Sequence, residues 1–224
     1  MAQQAAAKVS NNRQTRFLLL LVSLLAMMVL EPFLFDYTRI WFLVDIFFSI
    51  ILFTSIYAVS DKKSTTLIAI LLAFPKLATL WIEGFTSNTL LAFLDSIFGI
   101  VFIGYIIILI LRHIFKQKEV TLETIYGAIV VYILIGLLWV FFYKLTEILH
   151  PGSFSMAADI AASKKTMYYF SFITLTTLGY GDITPVSDQA KSLAMLEAVV
   201  GQMFIAVLIA RLVGIHITQS LIKK

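Results

Sequence analysis

Cysteine is absent from this chain of 224 residues, and there are only three histidines, at positions 113, 150 and 216. The first absence excludes disulfides, thiolate metal sites and cysteine catalysis. The second leaves no histidine–carboxylate set for an enzyme working within the membrane. Charge is also scarce: 13% of the residues are charged and 60% are hydrophobic, where a soluble domain is about a quarter charged and about half apolar. What fills the chain is long runs of Leu, Ile, Phe and Val, which makes it an integral membrane protein in contact with a lipid bilayer. The formal charge of +4 is not a sign of nucleic-acid binding, because the basic residues flank the apolar runs as membrane topology requires.

About 20 helical residues cover the ~30 Å hydrocarbon core, and only helices satisfy the backbone of single apolar runs in lipid. The runs predict six spans, at 17–35, 38–58, 65–82, 90–111, 121–147 and 188–217. The first run continues to Phe35 with no small-residue cleavage site after it, which argues against a signal peptide. Lys8, Arg13 and Arg16 precede the first span, Lys62 and Lys63 follow the second, Arg112, Lys116 and Lys118 follow the fourth, and Arg211, Lys223 and Lys224 close the sixth. The positive-inside rule makes that side cytoplasmic, with both termini on it. The expected organisation is an exposed cytoplasmic tail over 1–16, a four-helix unit over 17–111, a cytoplasmic linker over 112–120, a second unit over 121–219 and a tail over 220–224. The class is all-α.

Residues 148–187 break the pattern. His150-Pro151-Gly152-Ser153 is a turn signal, and 164–176 is a helix-length stretch too short to cross a bilayer. It runs into Thr177-Leu178-Gly179-Tyr180-Gly181-Asp182, whose glycines end the helix. Both flanking spans require this segment to begin and end on the outer side, so it enters and returns there. Irregular backbone at membrane depth is tolerated only where protein or water covers it.

The run Thr177–Asp182 resembles the potassium-channel signature, with Leu178 at the position usually held by Val. Region 121–219 is similar to the two-helix pore module of bacterial potassium channels: Tyr169 and Phe170 match the aromatic pair of the pore helix, Thr184-Pro185 follows the filter, and Gly201 matches a hinge glycine. The resemblance implies a potassium-selective filter at 177–182. Carbonyls of Thr177, Leu178, Gly179 and Tyr180 would replace the water shell of K+, and the Thr177 hydroxyl would stand at the inner entrance. Gly181 would permit the required backbone, Tyr180 would brace the loop and Asp182 would gather cations at the outer mouth. Four such loops enclose one pore, so one motif per chain implies a homotetramer. No cofactor is expected beyond the permeant ion. The resemblance also points to a bacterial inner membrane. Ile173 stands where some relatives carry a glutamate behind the filter, so gating through that carboxylate is not expected. A non-selective cation channel and a potassium-transporter subunit are the competing readings.

The fourth span has no basic residue before Arg112, so the arginine row of a voltage sensor is missing and weak or no voltage dependence is expected. No ligand-binding domain is expected after the sixth span, which leaves the gating stimulus or partner unidentified. Asp45, Lys76 and Asp95 lie within one turn of a common depth; they form an intramembrane charge cluster or reach separately to the outer interface. Gly201 serves either as a hinge or as a close-packing position. Glu197, four residues before it, either backs the pore helix or faces the cavity.

Overall fold

The computed structural model describes residues 2–34, 41–83, 86, 88–117, 119–156 and 166–222, with side chains described outside 2–12, 31–34, 41–44, 216, 218 and 220–222. The elements in chain order are α1 (Ala2–Leu34), α2 (Trp41–Ala58), α3 (Lys63–Glu83), α4 (Thr89–Lys116), α5 (Leu122–Leu149), β1 (Phe154–Met156), α6 (Thr166–Leu175), β2 (Ile183–Pro185) and α7 (Asp188–Ile222).

Five helices, α1, α3, α4, α5 and α7, are long and apolar enough to cross a membrane; the apolar stretch of α2, Asp45–Ala58, is shorter. Helix ends follow local chemistry. Asn88 caps α4 by accepting a hydrogen bond from the Leu90 N–H (2.9 Å), and His113 and Lys116 lie in its last turn, where the helix dipole favours positive charge. Thr121 caps α5, accepting from Thr124 N–H.

Helix α5 is the axis of the chain. It packs against α1, α4, α6 and α7, and 67% of its span is buried, against 11% for α7. Leu20 and Leu24 of α1, Ile106 and Ile110 of α4, and Val130 and Leu134 of α5 are almost fully buried in one apolar core. Small residues allow close approach, as is usual where lipid supplies no hydrophobic drive between helices: a Cβ at Gly99 would meet the Phe141 ring at 2.8 Å.

Two expected bounds differ from the structure. The segment expected as an exposed tail is helical from Ala2, and Arg13 and Arg16 pair with Asp61 at 3.1 and 3.6 Å. The apolar repeat after Arg16 continues a helix already running. The connector is also shorter than 112–120, because α4 runs through Lys116, anchored by Ile114 at 1% exposure. The all-helical architecture carries one small ribbon that was not expected. β1 and β2 pair antiparallel, Phe154 with Pro185 and Met156 with Ile183. The short helix expected over 164–176 is described over Thr166–Leu175; 164 and 165 lie outside the described residues.

Candidate functional site: the Thr177–Asp182 loop and the carboxylate behind it

Helix α6 is seated between α5 and α7 by glycines. A Cβ at Gly136 would stand 2.9 Å from the Phe172 ring, and one at Gly201 would stand 2.5 Å from the carbonyl oxygen of Leu175, the last residue of α6. On the buried side of α6, Phe170 packs edge-on against Tyr143 of α5 (4.9 Å between centroids) and Phe154 of β1 (5.3 Å). Neighbouring Tyr169 is 37% exposed and hydrogen-bonds Asp182. The expected aromatic pair therefore divides, one ring inward and one toward the loop.

The loop folds back on the end of α6. Thr177 N–H donates to Thr174 O (2.9 Å), and Leu178 and Gly179 N–H both donate to Ile173 O (2.8 and 3.1 Å). Thr177, Gly179 and Gly181 have φ of 58°, 53° and 80°, so every second residue is left-handed. Glycine accepts this without steric cost; threonine, β-branched, does not, and its presence at such an angle marks a constrained backbone. Alternation of this kind turns successive carbonyls toward one side of the strand. Residues 176–182 are all exposed, with Leu178 at 56% and Tyr180 at 69%.

Past the loop, Asp182 accepts from the Ile183 N–H (3.1 Å), and β2 then pairs with β1. Ser153 O accepts from Val186 N–H (2.8 Å) and Ser187 N–H (3.3 Å). The Glu147 carboxylate, in the last turn of α5, accepts from the Gly152 and Ser153 N–H groups (2.7 and 3.1 Å). These bonds tie the segment leaving the loop to α5.

Behind α6 lies a buried polar cluster. Glu197 of α7 has no exposed surface. Its carboxyl oxygens contact the Tyr143 hydroxyl of α5 and the Ser171 hydroxyl of α6, the latter at 2.5 Å, and Ser171 also lies 2.8 Å from Gly136 O. The carboxyl thus backs the short helix, reaching it from α7, while Ile173, buried in α6, contributes its carbonyl to the loop.

Of the three intramembrane charges, Lys76 and Asp95 form a buried ion pair, both 2% exposed, with the Thr79 hydroxyl 3.0 Å from the same carboxylate oxygen. Lys76 Nζ also sits 4.5 Å from the Phe141 ring centroid of α5. Asp45 is partly buried on α2.

Sequence reasoning did not find Tyr143, Ser171 or Glu147, nor the cluster at the far end of the helices. There His113 Nε2 lies 2.5 Å from Glu123 Oε1, its Nδ1 is 3.3 Å from Arg13, and Arg211 donates to the carbonyls of Ile114, Phe115 and Gln117 (3.1, 2.8 and 3.3 Å). The available signal was a polar residue inside an apolar run, which at Tyr143 and Ser171 is too ordinary to notice.

Residues 129–216, which contain the Thr177–Asp182 loop together with Tyr143, Glu147, Ser171 and Glu197, match a family model described as ion channel. Two pore potassium channel c of Oryza sativa subsp. japonica is 34% identical over 64 residues, an alignment covering 29% of this chain and 14% of that protein. No solved structure matches the chain. The alignment spans about a seventh of the rice protein's length, and the ion-channel match and the apolar helices support an integral membrane protein.

Proposed function

We propose that this chain is one subunit of a homotetrameric, potassium-selective channel with Thr177–Asp182 as its filter. The observation that carries this is the left-handed alternation at Thr177, Gly179 and Gly181 in an exposed loop held by Ile173 O. A dehydrated K+ takes its oxygen shell from Thr177, Leu178, Gly179 and Tyr180. One chain supplies carbonyls on one side of an ion only, so four loops around an axis complete the site. The C-terminal end of α6 adds the partial negative charge of a helix dipole, and Asp182 concentrates cations at the outer mouth.

In this reading α6 is a re-entrant pore helix and α2 completes six spans. The basic ends of α1, α3, α4 and α7 face the cytoplasm, and the membrane is a bacterial inner membrane. Helices α1–α4 form a peripheral unit around the α5–α7 pore. With no basic residue in α4 before Arg112, gating is not by voltage, and steep activation with several charges moved per subunit would sink that part. The similarity to a protein named as a potassium channel favours K+ over other monovalent cations.

The test is flux from liposomes carrying the purified protein, K+ against Na+ under matched gradients, with Gly179→Ala as control. Potassium-selective flux lost in the variant is expected. Equal sodium flux would make the chain a non-selective cation channel, with Leu178 the first residue to revert to Val.

A further inference from the structure

The cluster behind the filter contains more oxygen–oxygen contacts than hydroxyl protons. Tyr143 Oη meets one carboxyl oxygen of Glu197, Ser171 Oγ meets the other at 2.5 Å, and Ser171 Oγ meets Gly136 O at 2.8 Å. Each such contact between oxygens needs a proton in it. Tyr143 and Ser171 supply one each. The Gly136 carbonyl has none to give, and an ionised carboxylate only accepts. The third proton therefore has one available carrier, Glu197 itself.

We propose that Glu197 is a neutral carboxylic acid in the conducting channel and that this proton positions the pore helix. Tyr143 donates to one oxygen of Glu197. The acid proton is donated to Ser171, and Ser171 is thereby free to donate to Gly136 O. One chain of hydrogen bonds then joins α7, α6 and α5 directly behind the filter.

The surroundings agree. Tyr143, Ser171 and Glu197 are each 0% exposed. The groups facing the carboxyl are Tyr143 and, further along α5, Tyr132, with Ser171 from α6. Lys144, next to Tyr143 in sequence, is turned to the Phe141 ring (5.6 Å), and Lys191, six residues back on α7, pairs with Asp188. Among the described residues no Lys, Arg or His forms an ion pair with Glu197. An ionised carboxylate without a cation in such a place is costly.

Loss of the proton has a definite structural effect. Ser171 then has a single hydrogen for two acceptors, so α6 gives up its bond to α5 or its bond to α7, and an uncompensated charge appears beneath the filter. Conduction should fall as the pH is raised, with α6 loosened from its seat.

The flux part of this inference rests on the channel reading; the proton assignment does not. The experiment is infrared difference spectroscopy of the wild-type protein and Glu197→Gln in liposomes, alongside K+ flux measured from neutral to alkaline pH. The amide of Glu197→Gln can accept from Tyr143 and donate to Ser171, so this variant keeps all three bonds without a titratable proton. We expect a carboxylic-acid carbonyl band in the wild type at neutral pH, shifted in D2O and missing from the variant. On alkalinisation the band should disappear together with the wild-type flux, while variant flux stays level. Carboxylate bands at neutral pH that Glu197→Gln removes would overturn the proposal, as would an alkaline fall in flux equal in both proteins. If Glu197→Gln does not assemble, Ser171→Ala replaces it: the acid band should shift when its acceptor is removed, and an unmoved band overturns the assignment. An intact acid band with no K+ flux in either protein would uphold the proton assignment and sink the channel reading.

Discussion

Gly201 lies against the carbonyl of Leu175: a Cβ on the glycine would stand 2.5 Å from that oxygen and 2.9 Å from the Leu175 side chain. The obstacle is backbone at the end of α6, so it cannot swing aside as a side-chain tip can. Gly201→Ala must push α6 and α7 apart, an overpacking cost of about 1–3 kcal/mol. The expected outcome is a lower melting temperature of the detergent-solubilised assembly and reduced flux. A hinge role alone would leave the melting temperature unchanged.

Lys76→Met should be severe, because it strands Asp95 in a buried site. Breaking one side of a buried ion pair costs about 3–5 kcal/mol, whereas replacing both partners with apolar groups is often neutral. Lys76→Met should therefore lose most folded protein in a thermal challenge followed by size-exclusion chromatography, and Lys76→Met with Asp95→Leu should recover much of it. Normal assembly of the single variant would show that the pair does not lock the four-helix unit.

Glu147 holds the turn that carries β1, and through β1 and Ser153 it holds the strand leaving the loop. Removing the carboxylate leaves the buried Ser153 N–H short of an acceptor, a loss of about 1–3 kcal/mol, while the exposed Gly152 N–H can turn to water. On the proposed channel reading, Glu147→Ala should keep K+ selectivity in high potassium but lose flux faster than the wild type after transfer to low potassium, where fewer ions would hold the loop. Equal decay in both proteins would show that the ribbon does not support the filter.

Arg211 binds three carbonyls at and just past the end of α4 and stacks on Phe115 at 4.6 Å. It is a charge-assisted cap on the negative end of a helix, supplied by α7. Arg211→Ala should speed protease cleavage in the 117–121 connector several-fold. Arg211→Lys should give an intermediate rate, since a single ammonium cannot reproduce the planar fork. A connector no more sensitive in Arg211→Ala would mean that the cap contributes nothing to holding it.

The legible parts of the protein are those encoded along the chain. An apolar run of Leu, Ile, Phe and Val sufficient to span is a local property, and five of the helices are of that kind. The Thr177–Asp182 loop was also visible, because a glycine at every second position is a local requirement of left-handed backbone. Thr177 was the exception: its φ of 58° belongs to a residue type that gives no such notice. The strands β1 and β2 were missed because three residues are too few for an alternation to register. The helical start of α1 was read as a tail from its polar residues, although Ala2 and Ala5–Ala7 favour helix. The tail reading also passed over Asp61, in the turn after α2, which receives Arg13 and Arg16.

Side-chain placement around each helix was decided only by packing. Depth in the membrane follows from counting residues at a fixed rise, so Lys76 and Asp95 were placed at one level from sequence. Rotation about a helix axis follows from which neighbours it meets, and nothing in a uniformly apolar run records it. That rotation turns Glu197 onto Ser171 and Tyr143, brings Phe141 over Lys76, and sets His113 between Glu123 and Arg13. The sequence by itself determined an apolar helical chain with one Thr-Leu-Gly-Tyr-Gly-Asp run. The tertiary structure decided which buried polar groups meet behind that motif, because those meetings join side chains 26 to 54 residues apart.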